Sequence, residues 1–233
     1  MWPLIGLFEF YKSMTRLWNK VSKLAKHIEQ RLDDTGVLVD TPHSYNWHNR
    51  IYQGARYRRA HIEVVDFRET HKIYILHCTI FPHTDNPAPI WGFDVVCGPN
   101  KITGAFHDFS WAGGCPEMEE WFKNRVSGIT WNKPRELPEW AKQIFSDSMV
   151  AAGNVQDGPE LDSLIELAKD TLEYYLLTAY RTNCSTKDTS QHQNNYCHWQ
   201  KQNPHVIRSM VAMGVPEDTM KQFVEEVLFP KVE

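Results

Sequence analysis

Four apolar segments in a row, separated only by short breaks, constrain the fold of this chain more than any other feature. Residues 56–67, 72–82, 90–97 and 101–109 are rich in Ile, Val, Phe, Tyr and Thr. Between them stand Arg68-Glu69-Thr70-His71, the stretch His83 to Pro89, and Gly98-Pro99-Asn100. A parallel connection needs roughly a dozen residues or more, so these breaks predict hairpins and an antiparallel meander.

Helical patterns lie on either side. Phe10, Met14, Leu17, Val21, Leu24, Ile28 and Leu32 recur at spacings of three and four, with Lys and Arg between them, which predicts an amphipathic helix over 8–32. Asp33-Asp34-Thr35-Gly36 ends it. Downstream, Pro138 to Met149 reads as a helix, and Pro159 to Arg181 is the clearest one. Residues 186–202 are polar and carry no clear period. Asn203-Pro204 reads as an N-cap with Pro at the first helical position, Gly214 as the stop, and Pro216 to Leu228 as a last helix. With no repeat and no low-complexity linker, the 233 residues predict a single domain, 1–233, of α/β class with helices covering an antiparallel sheet.

Composition excludes several functions. Lys and Arg number 25 against 29 Asp and Glu, a balance that argues against nucleic-acid binding driven by phosphate contacts. Mean hydropathy is −0.50, and no apolar run approaches the ~18 residues of a membrane span. The five cysteines are odd in number, widely spaced and without C-x-x-C, so reduced thiols are expected rather than a disulfide framework or zinc ribbon. Trp2 to Phe8 is apolar but lacks a basic segment before it and a cleavage site after it. Neither a signal nor a transit peptide is read, and a cytoplasmic location is expected. Nine Trp, nine Tyr and eleven Phe suit a core or a pocket for a flat ligand.

The chemistry-bearing feature is the presence of ionisable groups inside apolar strands. His77 lies in Ile-Tyr-Ile-Leu-His-Cys-Thr-Ile-Phe, and Asp94 in Trp-Gly-Phe-Asp-Val-Val-Cys. A buried carboxylate without a partner is costly. A hairpin symmetric about its middle, between Asp85 and Asn86, sets His77 directly opposite Asp94. A preceding turn centred near Glu69-Thr70 sets His77 opposite His61 or Ile62, with His61 and Glu63 sharing one face. Asp94, His77, His61 and Glu63 then form either a proton-handling cluster or a structurally satisfied core pair with neighbours. Cys184, His192, Cys197 and His198 fit no standard metal spacing, and no metal is expected. No P-loop, strand-linked G-x-G-x-x-G or G-x-S-x-G occurs. Arg135, in a Pro-bracketed loop, is either a surface residue or an anchor for an anionic substrate.

Several ordered motifs carry a resemblance. They are His61-Ile-Glu63, Ile75 to Pro82, Pro89 to Val96, Gly104-Ala105-Phe106-His107-Asp108, Arg135 to Trp140, Tyr196 to Asn203 and Val227-Leu228-Phe229-Pro230. From about residue 50 onward the sequence resembles the ferredoxin-dependent bilin reductases, nearest the phycocyanobilin-forming branch and its phage-type relatives. The resemblance implies a three-layer α/β/α sandwich with a central antiparallel sheet flanked by helices. It implies reduction of biliverdin IXα with no cofactor bound by the protein. Reduced [2Fe–2S] ferredoxin, an acidic and transient partner, donates single electrons, and bilin radicals are intermediates. It also implies a monomer with no nucleic-acid or membrane partner, in a bacterial or phage-infected cell.

Residue by residue, the resemblance implies Asp94 as the central catalytic aspartate and His77 as its partner. Glu63 matches the glutamate tied to D-ring vinyl reduction. His61, Arg135 (for a propionate), Thr103 and Asn203 match pocket positions. Two departures stand out: Pro204-His205-Val206 replaces an Asp-Lys-Thr run, putting His205 where a propionate-facing lysine stands, and the segment joining the first two strands is about two residues longer. The expected product is phycocyanobilin, with phycoerythrobilin the alternative within the family and a non-catalytic bilin- or haem-binding carrier the alternative outside it. An acidic donor calls for a basic rim; Lys101, Lys123, Arg125, Lys133, Lys201 and Arg208 are candidates on charge.

Overall fold

The computed structural model describes residues 4–39, 45–112, 114–181 and 188–232, with the backbone alone for residues 4–15 and Arg181. Helix α1, Leu4–Asp33, is followed by strands β1 (Val37–Val39), β2 (His48–Gly54), β3 (Tyr57–Phe67), β4 (Ile73–Phe81), β5 (Ile90–Cys97) and β6 (Ile102–Ser110). Helix α2 (Pro116–Ser127), strand β7 (Val150–Ala152) and helices α3 (Pro159–Thr178), α4 (Ser190–Gln200), α5 (Pro204–Ala212) and α6 (Glu217–Phe223) complete it, with a π-helical turn at Val224–Leu228. The seven strands form one sheet in the order β1 to β7, every neighbour antiparallel.

The four strands read from the sequence are β3 to β6. β1, β2, β7 and α2 add to that reading. The helix expected over Pro138 to Met149 does not form. That stretch makes a single 3₁₀ turn, Ala141–Gln143, and then a loop. The buried Asp108 carboxylate accepts from the Ser146 amide at 2.9 Å and from the Ser146 hydroxyl at 2.5 Å, which pins the loop where helix would have run. The last helix also changes pitch: α-helix stops at Phe223 and the π turn carries the chain to Leu228.

Strand alternation divides the molecule into layers. One face, with Ile62, Leu76, Cys78, Phe93, Val95 and Ala105, packs against α1, α2 and α3 through Leu17, Val21, Leu24, Ile28, Phe122, Leu164 and Leu172. The opposite face meets α4, α5, α6 and the π turn through Ile51, Phe81, Ile90, Tyr196, Met210, Met220, Phe223 and Val227. This is the expected α/β/α layering. Burying apolar area on both faces at roughly 25 cal/mol per Å² is what holds the layers together. The described helices include none long and apolar enough to cross a membrane.

Candidate functional site

The second face is apolar at its margins and ionisable at its centre. Glu63 pairs with His77, and His77 pairs with Asp94, so the three stand in a row across β3, β4 and β5. With strands about 4.8 Å apart, the histidine sits between two carboxyl groups about 10 Å apart at the backbone. The His77–Asp94 pairing is the one expected from hairpin symmetry. The β3–β4 pairing is not: Glu63, rather than His61 or Ile62, faces His77, and His61 faces Thr79. The turn takes five residues, Arg68 to Lys72. His71 donates its amide to the Phe67 carbonyl at 2.8 Å, and Lys72 at φ 58° closes the turn in the left-handed region. The turn centre is therefore Thr70. The shift keeps His61 and Glu63 on the same face as His77.

Each group has its own surroundings. His61 is fully buried, and its Nε2–H donates to Asn49 Oδ1 at 3.1 Å. His77 bonds the Thr79 hydroxyl through Nε2 at 3.1 Å. The Nδ1 atoms of both histidines are buried without a hydrogen-bond partner. An imidazolium would leave an unmatched N–H there, so the packing favours neutral rings. Phe223 stands edge-on to His61 at 6.1 Å and Phe229 edge-on to His77 at 6.3 Å, so residues of α6 and the segment after it stand against both histidines.

These surroundings shift the titrations. Burial, with the Asp94 charge adding to it, pushes the Glu63 carboxyl up to about 8; the neighbouring Trp47 indole opposes the shift without a well-formed hydrogen bond. Asp94 is half-buried, and desolvation of its carboxyl group raises it to about 7. Burial lowers His77 to about 4 and His61 well below its ordinary range, and the positive charge of Arg59 lowers both further. Two carboxylic acids that hold protons near neutral pH thus flank a neutral imidazole, an arrangement suited to proton donation and return.

The other expected residues are more dispersed. Arg135 lies at the rim, exposed, its guanidinium 5.7 Å over the Phe106 ring, and Phe106 is the cross-strand partner of Asp94. Gly104 and Gly153 leave it room: a Cβ would come within 3.3 Å of Nη1 at Gly104 and 3.0 Å of Nε at Gly153. Thr103 occupies the bulge between the Val96–Gly104 and Cys97–Ile102 pairs, and its hydroxyl donates to the Val96 carbonyl at 3.1 Å. Asn203 caps α5 by accepting from the His205 amide at 3.0 Å, as its sequence context predicts. His205 is exposed on the first turn of α5 and makes no hydrogen bond to the Glu63–His77–Asp94 row. Among the rim candidates, Arg125 is paired with Asp170 and Lys201 with Glu225.

Sequence reasoning passed over three groups near the row. Arg59 is buried beside His61, Asp108 is buried opposite Gly92 and raised to about 6 by burial, and Tyr196 is buried with its hydroxyl 3.5 Å from where a Gly92 Cβ would stand. The signal for Arg59 and Asp108 is the one that exposed Asp94, a charge inside an apolar strand. His107 has the same signature but faces the other layer, bonded to the Gly92 carbonyl and the Thr171 hydroxyl, where its role is structural. Cys184 lies outside the described residues, and among those residues no cluster has the make-up of a metal site. An open cleft lined by Gln191, His192, Asn194, Asn195 and His198 contains none of the row.

Residues 14–230 match the family model described as ferredoxin-dependent bilin reductase. The chain belongs to that family. The reductase is 28% identical to the phycocyanobilin:ferredoxin oxidoreductase of Synechococcus sp. (strain CC9902), over 93% of this chain and 89% of that protein. It is 26% identical to the enzyme of that name from Trichodesmium erythraeum (strain IMS101), over 87% of this chain and 80% of that one. The solved structure of PcyX superposes with a TM-score of 0.68 at 26% identity, covering 91% of the reductase and 99% of PcyX. Tomato phytochromobilin synthase, solved in complex with biliverdin, superposes with a TM-score of 0.69 at 13% identity, a likeness of fold, over 89% of the reductase and 82% of the synthase.

Proposed function

We propose that the chain reduces biliverdin IXα to phycocyanobilin. Four electrons come singly from reduced [2Fe–2S] ferredoxin, and four protons pass through Asp94, His77 and Glu63. The observation that carries this reading is the row itself: carboxyl groups raised to about 8 and about 7 flank a neutral histidine on a sheet face roofed by aromatic rings. A bilin is flat and apolar with two propionates, so it needs apolar walls, ionisable groups near its ring nitrogens and a cation at its edge. Phe223 and Phe229 offer the walls, and Arg135 at the rim offers the cation for a propionate.

Each electron added to a conjugated tetrapyrrole makes it more basic, and a nearby acid that still holds its proton then donates it. Asp94, near 7, both gives and regains a proton at neutral pH, and His77 stands beside it as the acceptor. Glu63, near 8, serves the D-ring vinyl group. His61 orients the ring system, and Thr103, Asn203 and His205 line the approach. Lys101, Lys123, Lys133 and Arg208 remain candidates for docking the acidic donor.

The test is an anaerobic assay with biliverdin, ferredoxin, a ferredoxin reductase and NADPH, followed by chromatography against bilin standards. Phycocyanobilin as the final product supports the reading. Phycoerythrobilin overturns the role given to Glu63, and binding without turnover overturns the enzyme reading in favour of a carrier.

A further inference from the structure

Arg59 is a buried cation with no counter-ion among the described residues. It is 6% exposed on β3, two residues from His61 on the same face, and none of the described acidic residues pairs with it. Nη2 donates to the Val227 carbonyl in the π turn at 2.5 Å, and Nη1 is buried without a hydrogen-bond partner. Such a group is expensive to bury. The turn it grips lies between Phe223 and Phe229, the rings standing against His61 and His77.

We propose that Arg59 is a positioning residue: it clamps the C-terminal turn onto β3, so that the aromatic roof seats against His61 and His77, and its fixed charge adds to the burial that favours neutral imidazoles there. The proposal rests on the functional reading above for its link to turnover; the clamp stands on the hydrogen bond to Val227, and the field on the place of Arg59 two residues from His61, whose ring lies 6.1 Å from that of His77. The other charged or titratable groups around the two histidines are Glu63 on β3, Asp94 on β5, Arg58 beside Arg59, Tyr196 and Cys197 on α4, and Lys201 at the C-cap of α4. Lys201 is spent on Glu225 of the π turn. Burial pushes the Cys197 thiol up to about 11 and Glu63 to about 8, so neither offers Arg59 a full negative charge at neutral pH. Burial also lowers Arg59 itself to about 10, still well above neutral, so the charge persists.

The experiment measures three things in Arg59→Gln, Arg59→Met and Arg59→Lys. The first is the ring titrations of His61 and His77 by ¹H–¹³C NMR, assigned with His61→Gln and His77→Gln. Both titrations should rise by about half a pH unit or more in the neutral variants and stay low in Arg59→Lys. The second is amide exchange over residues 224–229, which should quicken in all three, because lysine keeps the charge but not the planar fork. The third is the pH profile of biliverdin reduction, whose acid limb should move up with the histidine titrations. Unchanged titrations in both neutral variants, or an equal rise in Arg59→Lys, would refute the field. Unchanged exchange in every variant would refute the clamp. Methionine, which matches the length and apolar stem of arginine, covers the case in which glutamine unfolds the chain. A wild-type protein that leaves biliverdin unreduced removes the functional reading, while the NMR and exchange arms still decide the proposal.

Discussion

Glu63→Gln isolates one proton in one carboxyl group. In the unfolded chain Glu63 has its ordinary value of 4.5, and in the fold it is pushed up to about 8 by burial and by the Asp94 charge. Between these values the native state holds a proton that the unfolded state has released, so this group costs the protein stability as pH rises from 4.5 to 8. A full separation of this size corresponds to about 4–5 kcal/mol lost by alkaline pH. Asp94 contributes in the same direction up to about 7, whereas His77, lowered to about 4, contributes in the opposite direction and is complete by 6.5. The interval from pH 7 to 8 therefore belongs mainly to Glu63, and wild type should lose about 1 kcal/mol across it. Urea unfolding followed by tryptophan fluorescence at half-unit steps from pH 6.5 to 8.5 measures the slope. The glutamine variant should be flatter by about that amount, whatever its absolute stability. Parallel curves for the two proteins would mean that Glu63 is ionised at neutral pH, and its role as a proton donor would fall with that result.

Other outcomes follow from the same geometry. Asp94→Asn keeps the shape of the carboxyl group and removes its proton, so biliverdin titration should give a near wild-type Kd while the assay stalls, with a bilin radical visible by electron paramagnetic resonance. Arg135→Gln should raise the biliverdin Kd roughly five-fold, about 1 kcal/mol, because the guanidinium is exposed and screened, and it should leave kcat near wild type. Asn203→Ala removes the cap of α5 and should cost about 1 kcal/mol in chemical denaturation; an equal loss of substrate affinity at a concentration where the protein is fully folded would show that Asn203 also meets the ligand.

Much of this arrangement was legible in the sequence because period-two strands leave little freedom. The seven-residue break His83 to Pro89 is centred on Asn86, close enough to the symmetric expectation to set His77 opposite Asp94. The preceding hairpin was harder to read, because Lys72 adopts a left-handed conformation that no glycine announces, and one extra turn residue sets Glu63 opposite His77. The loop at Ser146 was misread as helix for a related reason: its conformation is dictated by Asp108, 38 residues earlier in the chain. Thr103 could be placed near the site but not oriented, since a bulge turns its hydroxyl to the backbone. Arg59 was passed over because a pair of arginines in a strand looks like surface until the C-terminal turn is folded over one of them.

The strictly sequential order of the sheet bears on how the site comes into being during synthesis. Every strand pairs with its immediate predecessor, so the floor that carries Glu63, His77 and Asp94 is complete once residue 97 has emerged, and its contacts are short-range. Its roof, Phe223 to Phe229, arrives more than a hundred residues later. At about 5–20 residues per second the ionisable floor then waits several seconds or more in water before it is covered. During that interval the carboxyl groups titrate as ordinary acids, and the aromatic faces around them are uncovered. The nascent chain is thus most exposed to aggregation and to premature ligand capture just before the last forty residues dock, and removing the α6 segment should leave a folded sheet with an open, hydrophobic face.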